Sequence, residues 1–577
     1  MNKTTDTIKI TIDGLALTAQ KGETILSVAQ KNKIYIPALC HHPDVKIQAS
    51  CRLCSVEIKG RPGLVTACST EVVDGMEIVT DSPSIRLSRL VNLQLIFTEH
   101  CEECNDCILK RNCLIKDLAQ KYQVPITRFV DRKQGFPVHE FGKSLIFQSS
   151  KCIDCGLCVD VCHQEGVDFL EYKKVGDFWQ VCPSADKNKD CIYCGQCLVH
   201  CPVGAFEAVG EFEDIAKPLQ EKNKIVVFQF APSIRAAIGE EFDLPHGTIV
   251  TGQLVAGIHR LGIKYVFDVS VGADVTTMEE ASELVERIKN GGRLPMFTAC
   301  CPAWVKYVEF FTPELVPNMT TVRSPQIIMG GLIKTYWAKK QKINPKDIVV
   351  VSVMPCVAKK YEKEKPELKI NGLKPVDYVM TTRELAWLFK ANNIDLKNLP
   401  SEEADPALGI PTGAGVIYGA SGGVMESALR TAYYKLTGQH LRQLDFKEVR
   451  GLQGFKRAAI KIGDRTLRVA VVNQLTNGQK IIEELKKNPQ SYDYVEVMAC
   501  PGGCIGGGGQ PVPVNTEIRR KRAESLYRID AKKEIRAAED SDIVKTIYGE
   551  FMNDKQNAEK VAHTKYRRRN KEVYPVK

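Results

Sequence analysis

Two patterns of apolar residues divide the chain. Near the N-terminus, apolar and polar residues alternate in IKITIDG and LALTAQ, and GETILSVAQKN carries apolar residues at helical spacing. Alternation with a period of two predicts strands, whereas apolar residues three and four positions apart predict a helix. The N-terminal stretch is therefore predicted to form a small unit of strands, turns and a helix.

After about residue 212 the pattern changes to short apolar runs that alternate with helical segments, which predicts an α/β domain. KIVVFQF leads towards Pro232, RLPMFT towards Cys300 and Cys301, DIVVVSVMP into Cys356 and YDYVEVMA into Cys500. Open α/β sheets bind ligands outside the carboxyl ends of their strands. We therefore expect these distant segments to converge on one ligand site.

Length and cysteine content narrow the possibilities further. A chain of 577 residues should split into several domains, since single cores stop growing at roughly 250 to 300 residues. The start, MNKTTDTIKITIDG, lacks the apolar core of a signal peptide, and no later run is long enough for a membrane span, so a cytoplasmic protein is expected. In that compartment, 22 cysteines indicate metal or cluster ligands rather than disulfides.

The formal net charge is +10, with basic residues concentrated in KYRRRNKEVYPVK at the C-terminus and in KKYEKEK from Lys359. Such a charge suits either a nucleic-acid patch or a surface that attracts an acidic protein partner. Charge alone does not choose between them.

The first cysteine group consists of Cys40, Cys51, Cys54 and Cys68. Plant-type 2Fe-2S ferredoxins carry C-x4-C-x2-C and a distant fourth cysteine, and here the first gap is longer. Together with the strand and helix pattern, this spacing favours a 2Fe-2S site over a tetrahedral zinc site.

The second group, HCEECNDCILKRNC, has the spacing H-x3-C-x2-C-x5-C over His100, Cys104, Cys107 and Cys113. One nitrogen and three sulfurs suit zinc or a 4Fe-4S cluster equally. The position between two cluster-type groups favours the cluster, because a redox-silent metal would interrupt a chain of electron carriers. Cys101 and Cys182 have no assigned role.

The third group repeats C-x2-C-x2-C-x3-C in KCIDCGLCVDVC and DCIYCGQCLVHC. In two-cluster ferredoxins the fourth cysteine of each run ligates the other cluster. The predicted ligand sets for two 4Fe-4S clusters are therefore Cys152, Cys155, Cys158 and Cys201 for one, and Cys162, Cys191, Cys194 and Cys197 for the other.

The fourth group lies in the α/β half and consists of Cys301, Cys356, Cys500 and Cys504. Four thiolates from separate loops suit one more 4Fe-4S cluster. The glycines of PGGCIGGGGQP would let the backbone approach a ligand closely.

Three segments of this half, TACCPAW, MPCVAKKYE and EVMACPGGCIGGGGQP, resemble the signatures of iron-iron hydrogenases. The upstream groups occur in the order of the larger clostridial-type monomeric members. The resemblance implies N-terminal ferredoxin-like iron-sulfur domains followed by a large α/β H-cluster domain of two lobes. The expected domains are a 2Fe-2S domain (1–84), a His/Cys3 4Fe-4S domain (85–140), a two-cluster ferredoxin domain (141–212) and the H-cluster domain (213–577), whose end from about 518 resembles a small subunit.

The resemblance also implies the cofactors: one 2Fe-2S cluster, three accessory 4Fe-4S clusters and the H-cluster. In the family, cysteines matching Cys301, Cys356, Cys500 and Cys504 hold the 4Fe-4S part of the H-cluster. The last of them bridges to a two-iron centre with CO, cyanide and azadithiolate ligands. Residues expected around that centre are Lys359, Pro232, Ser233, Gln326, Met354 and Met498.

Glu280, Glu283 and Arg287 share one face of a predicted helix, a pattern typical of a solvated charge surface. The family's proton relay nevertheless matches Cys300, Glu280, Thr320, Glu283 and Arg287. Ala299 and Ala303 replace the serine and glycine common in the first signature, which puts details of proton transfer in doubt but not ligation.

The resemblance implies reversible reduction of protons to dihydrogen, with an acidic ferredoxin as electron partner and maturation proteins that build the two-iron centre. Nucleic acid and membrane are not expected as partners. The alternatives are a hydrogen sensor with the same cluster, or the hydrogenase subunit of an NAD-linked electron-bifurcating complex.

Overall fold

The computed structural model describes residues 7–100, 113–124, 132–133, 135–176, 178–441 and 443–576. None of the helices in these ranges combines the length and the apolar composition that a membrane span requires.

The alternating N-terminal segments form a five-stranded sheet with the order β2-β1-β5-β3-β4. Its elements are β1 (Thr7–Ile12), β2 (Leu15–Gln20), α1 (Ile25–Lys31), β3 (Ser55–Ile58), β4 (Val65–Thr66), β5 (Glu77–Val79) and the following helix α2 (Pro83–Phe97). Asp13 and Gly14 both have positive φ and make the two-residue turn between β1 and β2. The predicted strands and helix of this region are confirmed.

Short helices and two small sheets follow. The elements are α3 (Leu114–Lys121), β6 (Val138–Phe141), β7 (Leu145–Gln148), α4 (Leu157–Gln164), β8 (Leu170–Val175), β9 (Phe178–Pro183), α5 (Gln196–Val199), β10 (Phe206–Ala208) and α6 (Phe212–Gln220). β10, β7 and β6 form one sheet, and β8 pairs with β9. Helices α4 and α5 each begin inside a cysteine run, after its second cysteine, with a left-handed glycine, Gly156 or Gly195, as the residue before the helix.

The α/β half is built on two four-stranded sheets, which confirms the predicted two lobes. The first has the order β12-β11-β14-β15 and is parallel throughout. The second has the order β13-β18-β17-β16, in which only β16 runs antiparallel to its neighbour. The strands are β11 (Ile225–Phe230), β12 (Tyr265–Asp268), β13 (Met296–Phe297), β14 (Ile348–Met354), β15 (Tyr378–Thr381), β16 (Phe455–Ile462), β17 (Arg465–Asn473) and β18 (Tyr494–Met498).

Helices cover these sheets and include α7 (Thr251–Arg260), α8 (Val269–Lys289), α9 (Pro302–Phe311), α10 (Pro325–Leu332), α11 (Ala338–Gln341), α12 (Ala358–Glu362), α13 (Thr382–Ala391), α14 (Gly413–Ile417), α15 (Gly423–Thr437), α16 (Leu475–Lys487), α17 (Thr516–Lys532), α18 (Asp542–Ile547) and α19 (Lys555–Ala562). The 21-residue helix α8 packs against α10, α14 and α15. Its residues up to Thr277 are all buried, and Glu280 in its second half is buried as well.

The C-terminal segment after α19 runs back across the molecule. His563 pairs with Val322, and Val576 pairs with His139 of β6. Glu140 donates its backbone N–H to the carbonyl of Pro575 at 3.1 Å. The chain end thus connects the α/β half with the region of the cysteine repeats.

Candidate functional site

A cavity lies where the carboxyl ends of β11, β14 and β18 meet the residues after β13. Parallel strands present these ends at one edge of each sheet, and the edges of the two sheets face the same cavity, so segments that are far apart in sequence come together there. Five of its lining residues are cysteines, namely Cys300, Cys301, Cys356, Cys500 and Cys504. The convergence expected from the sequence is observed.

All six residues expected beside the two-iron centre also line this cavity: Pro232, Ser233, Gln326, Met354, Lys359 and Met498. Tyr418 and Gly419 of GAGVIYGASGG join them. The Tyr418 hydroxyl lies 2.8 Å from Oγ1 of Thr277 on α8. The loop after α14 therefore forms part of the wall.

The cysteines fit an iron-sulfur group by their chemistry. Burial raises the pKa of the Cys356 and Cys504 thiols to about 12, and it raises the pKa of Cys500 well above the usual value. Thiolates in such surroundings need positive charge, which bound iron provides. Four converging thiols in a mainly apolar wall are a donor set that soft metal ions prefer.

The glycine run next to Cys504 allows close backbone packing. A Cβ at Gly507 would lie 2.3 Å from the carbonyl oxygen of Pro355, and one at Gly508 would lie 2.6 Å from that of Cys194. Gly503 has a φ of +90°. Larger residues would therefore push this loop away from both neighbouring loops.

A buried carboxylate organises the polar side of the cavity. Glu362 Oε2 accepts hydrogen bonds from Lys359 Nζ at 2.9 Å, Gln326 Nε2 at 2.8 Å and Ser324 Oγ at 2.9 Å. Lys359 Nζ also donates to the Cys300 carbonyl at 3.1 Å. Glu362 was absent from the sequence prediction, although its spacing of three from Lys359 on α12 signals a shared helix face.

Cys300 and Glu280 form the inner part of the expected relay. The Cys300 pKa lies well above the usual thiol value, first because of burial and next because of the neighbouring Glu280 charge. Burial raises the pKa of Glu280 to about 8. Its Oε1 atom has no hydrogen-bond partner among the described residues. Both groups therefore hold protons at neutral pH.

Thr320, Glu283 and Arg287 form the outer part. Thr320 Oγ1 donates to Glu283 Oε2 at 2.7 Å, and Arg287 Nη2 donates to Glu283 Oε1 at 2.5 Å. Glu280, Glu283 and Arg287 all project from α8. The structure brings the five expected residues into two adjacent groups.

The cysteine repeats also converge. Cys162, Cys191, Cys194 and Cys197 line one cavity, in the cross-run combination expected for one cluster. Cys155 and Cys158 both interact electrostatically with Cys201 of the other run, and Cys158 also does so with Cys197. The structure thus brings one predicted set together in one cavity, and the ligand set of the other cluster stays a prediction.

The N-terminal group is likewise compact. The backbone N–H of Cys51 lies 3.3 Å from Cys40 Sγ. Cys54 interacts electrostatically with both Cys68 and Cys40. All four side chains are buried.

The His/Cys3 group is described only in part, because Cys104 and Cys107, like Cys101, lie outside the described residues. His100 is buried, and its Nδ1 atom lies 2.9 Å from the carbonyl oxygen of Lys151. A hydrogen bond from Nδ1–H to a carbonyl leaves the lone pair on Nε2, the arrangement of a metal-ligating histidine.

Comparisons with known proteins decide the family. A family model described as iron only hydrogenase large subunit, C-terminal domain, matches residues 224–508. Over 574 residues the chain is 37% identical to iron hydrogenase 1 of Clostridium pasteurianum, which covers 97% of this chain and 100% of that relative. The chain belongs to the iron-iron hydrogenase family. It is thus a hydrogenase-type oxidoreductase whose substrates are protons and dihydrogen.

Other comparisons place the remaining parts of this hydrogenase. Models described as a 2Fe-2S iron-sulfur cluster binding domain, a 4Fe-4S dicluster domain and an iron hydrogenase small subunit match residues 5–83, 151–205 and 516–569. The NADP-reducing hydrogenase subunit HndD of Solidesulfovibrio fructosivorans is 37% identical over 97% of this chain and 99% of that protein. An apo FeFe-hydrogenase structure from Chlamydomonas reinhardtii is 36% identical, with a TM-score of 0.56, and covers 62% of this chain and 99% of that one.

Proposed function

We propose that this hydrogenase catalyses the reversible reduction of protons to dihydrogen with electrons from an acidic ferredoxin. The net charge of +10 favours encounter with an acidic protein. The observation that most supports catalysis on protons is the thiol of Cys300, which lies in the same cavity as four ligand-type cysteines. Four thiols suffice for a 4Fe-4S cluster, so the fifth is available for proton transfer.

The proposed ligands follow the convergences described above. Cys301, Cys356, Cys500 and Cys504 would hold the 4Fe-4S part of the H-cluster, with Cys504 next to the two-iron centre. Three accessory 4Fe-4S clusters and one 2Fe-2S cluster would occupy the upstream groups. The proposed domains keep the boundaries 1–84, 85–140, 141–212 and 213–577.

Contacts between the cysteine groups support an electron path. Cys500 Sγ lies 3.8 Å from the carbonyl oxygen of Cys194. Farther out, Cys40 lies close enough to Cys155 for their charges to interact. Electrons would therefore pass from the N-terminal group through the repeats to the catalytic cavity.

When bound, the two-iron centre would supply the redox chemistry that combines protons with electrons. Lys359 would donate a hydrogen bond to a cyanide ligand, and Glu362 and the Cys300 carbonyl hold its ammonium group in position. Met354 and Met498 would pack against the centre as soft, polarisable side chains.

The proposed relay delivers protons to this site. Cys300 holds a proton at Sγ, since its pKa is raised, and would return to the thiol form by accepting a proton from Glu280. Thr320 and Glu283 would supply Glu280 from outside. A carboxyl group with a pKa of about 8 donates and accepts protons readily near neutral pH.

Dihydrogen evolution by protein matured anaerobically with the two-iron cofactor tests the function. We expect evolution with reduced methyl viologen and with reduced ferredoxin. Infrared bands of CO and cyanide report cofactor loading. If the cofactor is fully loaded and neither donor supports dihydrogen evolution, the proposed enzyme activity is overturned and the hydrogen sensor is favoured. Evolution with viologen alone would overturn only the ferredoxin assignment.

A second candidate is the hydrogenase subunit of a larger NAD(P)-linked complex. It is favoured by the full-length similarity to a relative named as an NADP-reducing hydrogenase subunit. Gel filtration with native mass measurement on protein from its natural host discriminates between the two. A flavoprotein that co-purifies in fixed proportion would establish the complex.

A further inference from the structure

The guanidinium of Arg287, the outermost residue of the expected relay, is fixed by several hydrogen bonds. Its Nη1 atom donates to the carbonyls of Arg293 at 3.1 Å and Asn318 at 3.2 Å, and Nη2 donates to that of Met319 at 2.7 Å as well as to Glu283. A guanidinium does not release its proton in proteins. Arg287 therefore positions Glu283, and protons reach Glu283 from solvent or from another neighbouring group.

Thr321 connects Glu283 to a histidine. Thr321 Oγ1 lies 3.0 Å from Glu283 Oε2 and 2.8 Å from Nδ1 of His563. On the other side of the imidazole, Nε2 lies 3.1 Å from Oε2 of Glu279. The Tyr548 hydroxyl donates to the second oxygen of Glu279. An unbroken series of hydrogen-bond contacts thus runs from Glu283 to Glu279.

The backbone fixes His563 in this place. Thr564 donates its N–H to the Thr321 carbonyl at 2.8 Å, and Arg323 Nε donates to the His563 carbonyl at 2.6 Å. The His563 side chain is 18% exposed. The imidazole therefore contacts solvent and the relay at the same time.

The charges around the imidazole favour its protonated form. Burial lowers the pKa of His563, but Glu279, Glu283 and Glu559 outweigh that effect, and the net pKa lies above the usual value. The Arg323 side chain donates to the His563 carbonyl, and the charge of Lys435 on α15 acts on Glu279. Carboxylates thus dominate the surroundings of His563.

We propose that His563 is the residue through which protons enter the relay at Glu283, a role that rests on the proposed hydrogenase function. The imidazolium gives the proton on Nδ1 to Thr321 Oγ1 while the Thr321 hydroxyl proton moves to Glu283 Oε2. One proton leaves His563 and one arrives on Glu283, so an imidazolium and a carboxylate become a neutral imidazole and a carboxylic acid. Solvent then reprotonates the imidazole, and the threonine hydroxyl rotates back.

The competing explanation is a purely structural ion pair between His563 and Glu279 that fastens the C-terminal segment to α8. The variant His563→Gln distinguishes proton entry from a structural ion pair, because glutamine can hydrogen-bond to both neighbours but binds no proton near neutral pH. Thr321→Val breaks the link to Glu283, whereas Thr321→Ser keeps the hydroxyl. His259→Gln is the matched control, since His259 on α7 pairs with Glu402 at 2.5 Å away from the relay.

The first readout is the pH profile of dihydrogen evolution by the loaded enzyme. We expect His563→Gln and Thr321→Val to lose about tenfold at alkaline pH, less than the 10²–10⁴ of a general acid acting on substrate itself. The loss should shrink at acid pH, where solvent protonates Glu283 directly. Thr321→Ser and His259→Gln should follow the wild type.

Chemical rescue and NMR give readouts that a structural role would not produce. Added imidazole should restore activity to His563→Ala but not to Thr321→Val. A histidine NMR titration of the holoenzyme should show a raised His563 pKa that falls in Glu279→Gln.

An active wild type with an unchanged pH profile in His563→Gln would overturn the entry role and leave the hydrogenase function intact. The entry role would also be overturned if His563→Gln lowered the melting temperature and reduced dihydrogen evolution equally at every pH, and if imidazole did not rescue His563→Ala. That result would favour the structural ion pair. If the loaded wild type evolves no dihydrogen, both proposals fail.

Discussion

The catalytic cavity lies next to the cavity lined by Cys162, Cys191, Cys194 and Cys197, here called the repeat cavity. Cys500 of the first approaches Cys194 of the second, yet the two cavities are assembled differently. The repeat cavity takes its cysteines from two nearly identical local runs. The catalytic cavity takes Cys301, Cys356 and Cys500 from the ends of three separate strands. Local spacing builds the first, and strand topology builds the second.

The surroundings of the two cavities differ as well. Phe141, Phe169 and Phe206 line the repeat cavity. The catalytic cavity adds a surplus thiol at Cys300 and an ammonium at Lys359. An apolar shell suits storage and passage of electrons, whereas groups with exchangeable protons suit chemistry on protons. The repeat cavity also contains the carboxyl group of Glu165, whose pKa burial raises to about 8, so the surplus thiol and the ammonium are what distinguish the catalytic cavity.

The largest expected effect comes from removing one ligand in each cavity. Cys504→Ser should abolish dihydrogen evolution, because a serine oxygen is a poor ligand for soft iron sites. Cys197→Ser should disturb an accessory cluster and leave the CO and cyanide infrared bands in place. Normal infrared bands in Cys504→Ser would contradict its assignment as the ligand beside the two-iron centre.

Cys300→Ala tests whether proton transfer sets the cavities apart. We expect a fall in turnover of about 10²–10⁴, the range for a lost general acid, while all clusters still assemble. Infrared and electron paramagnetic resonance spectra check assembly, and a viologen assay measures turnover. Cys182→Ala, a change on β9, is the control and should be silent. Turnover within about twofold of wild type in Cys300→Ala would remove the thiol from the relay.

Lys306→Met tests how the repeat cavity is attached to the catalytic half. Lys306 on α9 is buried and pairs with Asp190 at 3.1 Å and Glu572 at 2.7 Å, next to Cys191. Loss of the ammonium leaves the fully buried carboxylate of Asp190 without a cation, which should cost about 3–5 kcal/mol of unfolding free energy.

Lys340→Met is its matched control, because Lys340 pairs with Glu550 at 2.8 Å on the surface, where solvent screens the pair and the loss of stability should be small. Thermal unfolding measures both variants. Equal losses would show that burial of Lys306 contributes nothing.

The smallest effect concerns the contact between the cavities. Gly508→Ala would place a Cβ 2.6 Å from the Cys194 carbonyl oxygen and should cost about 1–3 kcal/mol through overpacking. The shift should also slow evolution with ferredoxin more than with viologen. Gly549→Ala is the control, since a Cβ there meets nothing within 4 Å. Stability equal to wild type in Gly508→Ala would show that the loops adjust freely.

Much of the site could be predicted from the sequence because its chemistry is local. Repeated spacings predicted the cross-run grouping of Cys162 with Cys191, and both cysteines line the same cavity. Strand patterns that end at Cys356 and Cys500 predicted that both lie at carboxyl ends of strands, although β14 and β18 belong to different sheets, and only the packing of the two sheets brings them to one cavity. The predicted helix face of Glu280 and Glu283 also appears on α8.

Other features depend on contacts between segments that carry no local signal. The hydrogen bonds that Glu362 accepts from Gln326 and Ser324 require α12 to lie beside α10, and the motif MPCVAKKYE does not predict these partners. The contact of His563 with Thr321 joins residues 242 positions apart. No spacing rule reaches across such a distance.

The family and the grouping of Cys162, Cys191, Cys194 and Cys197 follow from the sequence, because short spacings encode them directly. Tertiary structure alone decided which charges are buried. The sequence pattern around Glu280 is typical of a solvated helix face. In the structure α8 packs against α10, α14 and α15, Glu280 is buried, and this burial raises its pKa to about 8. Desolvation depends on every neighbour around a group, and those neighbours are known only once the chain has folded.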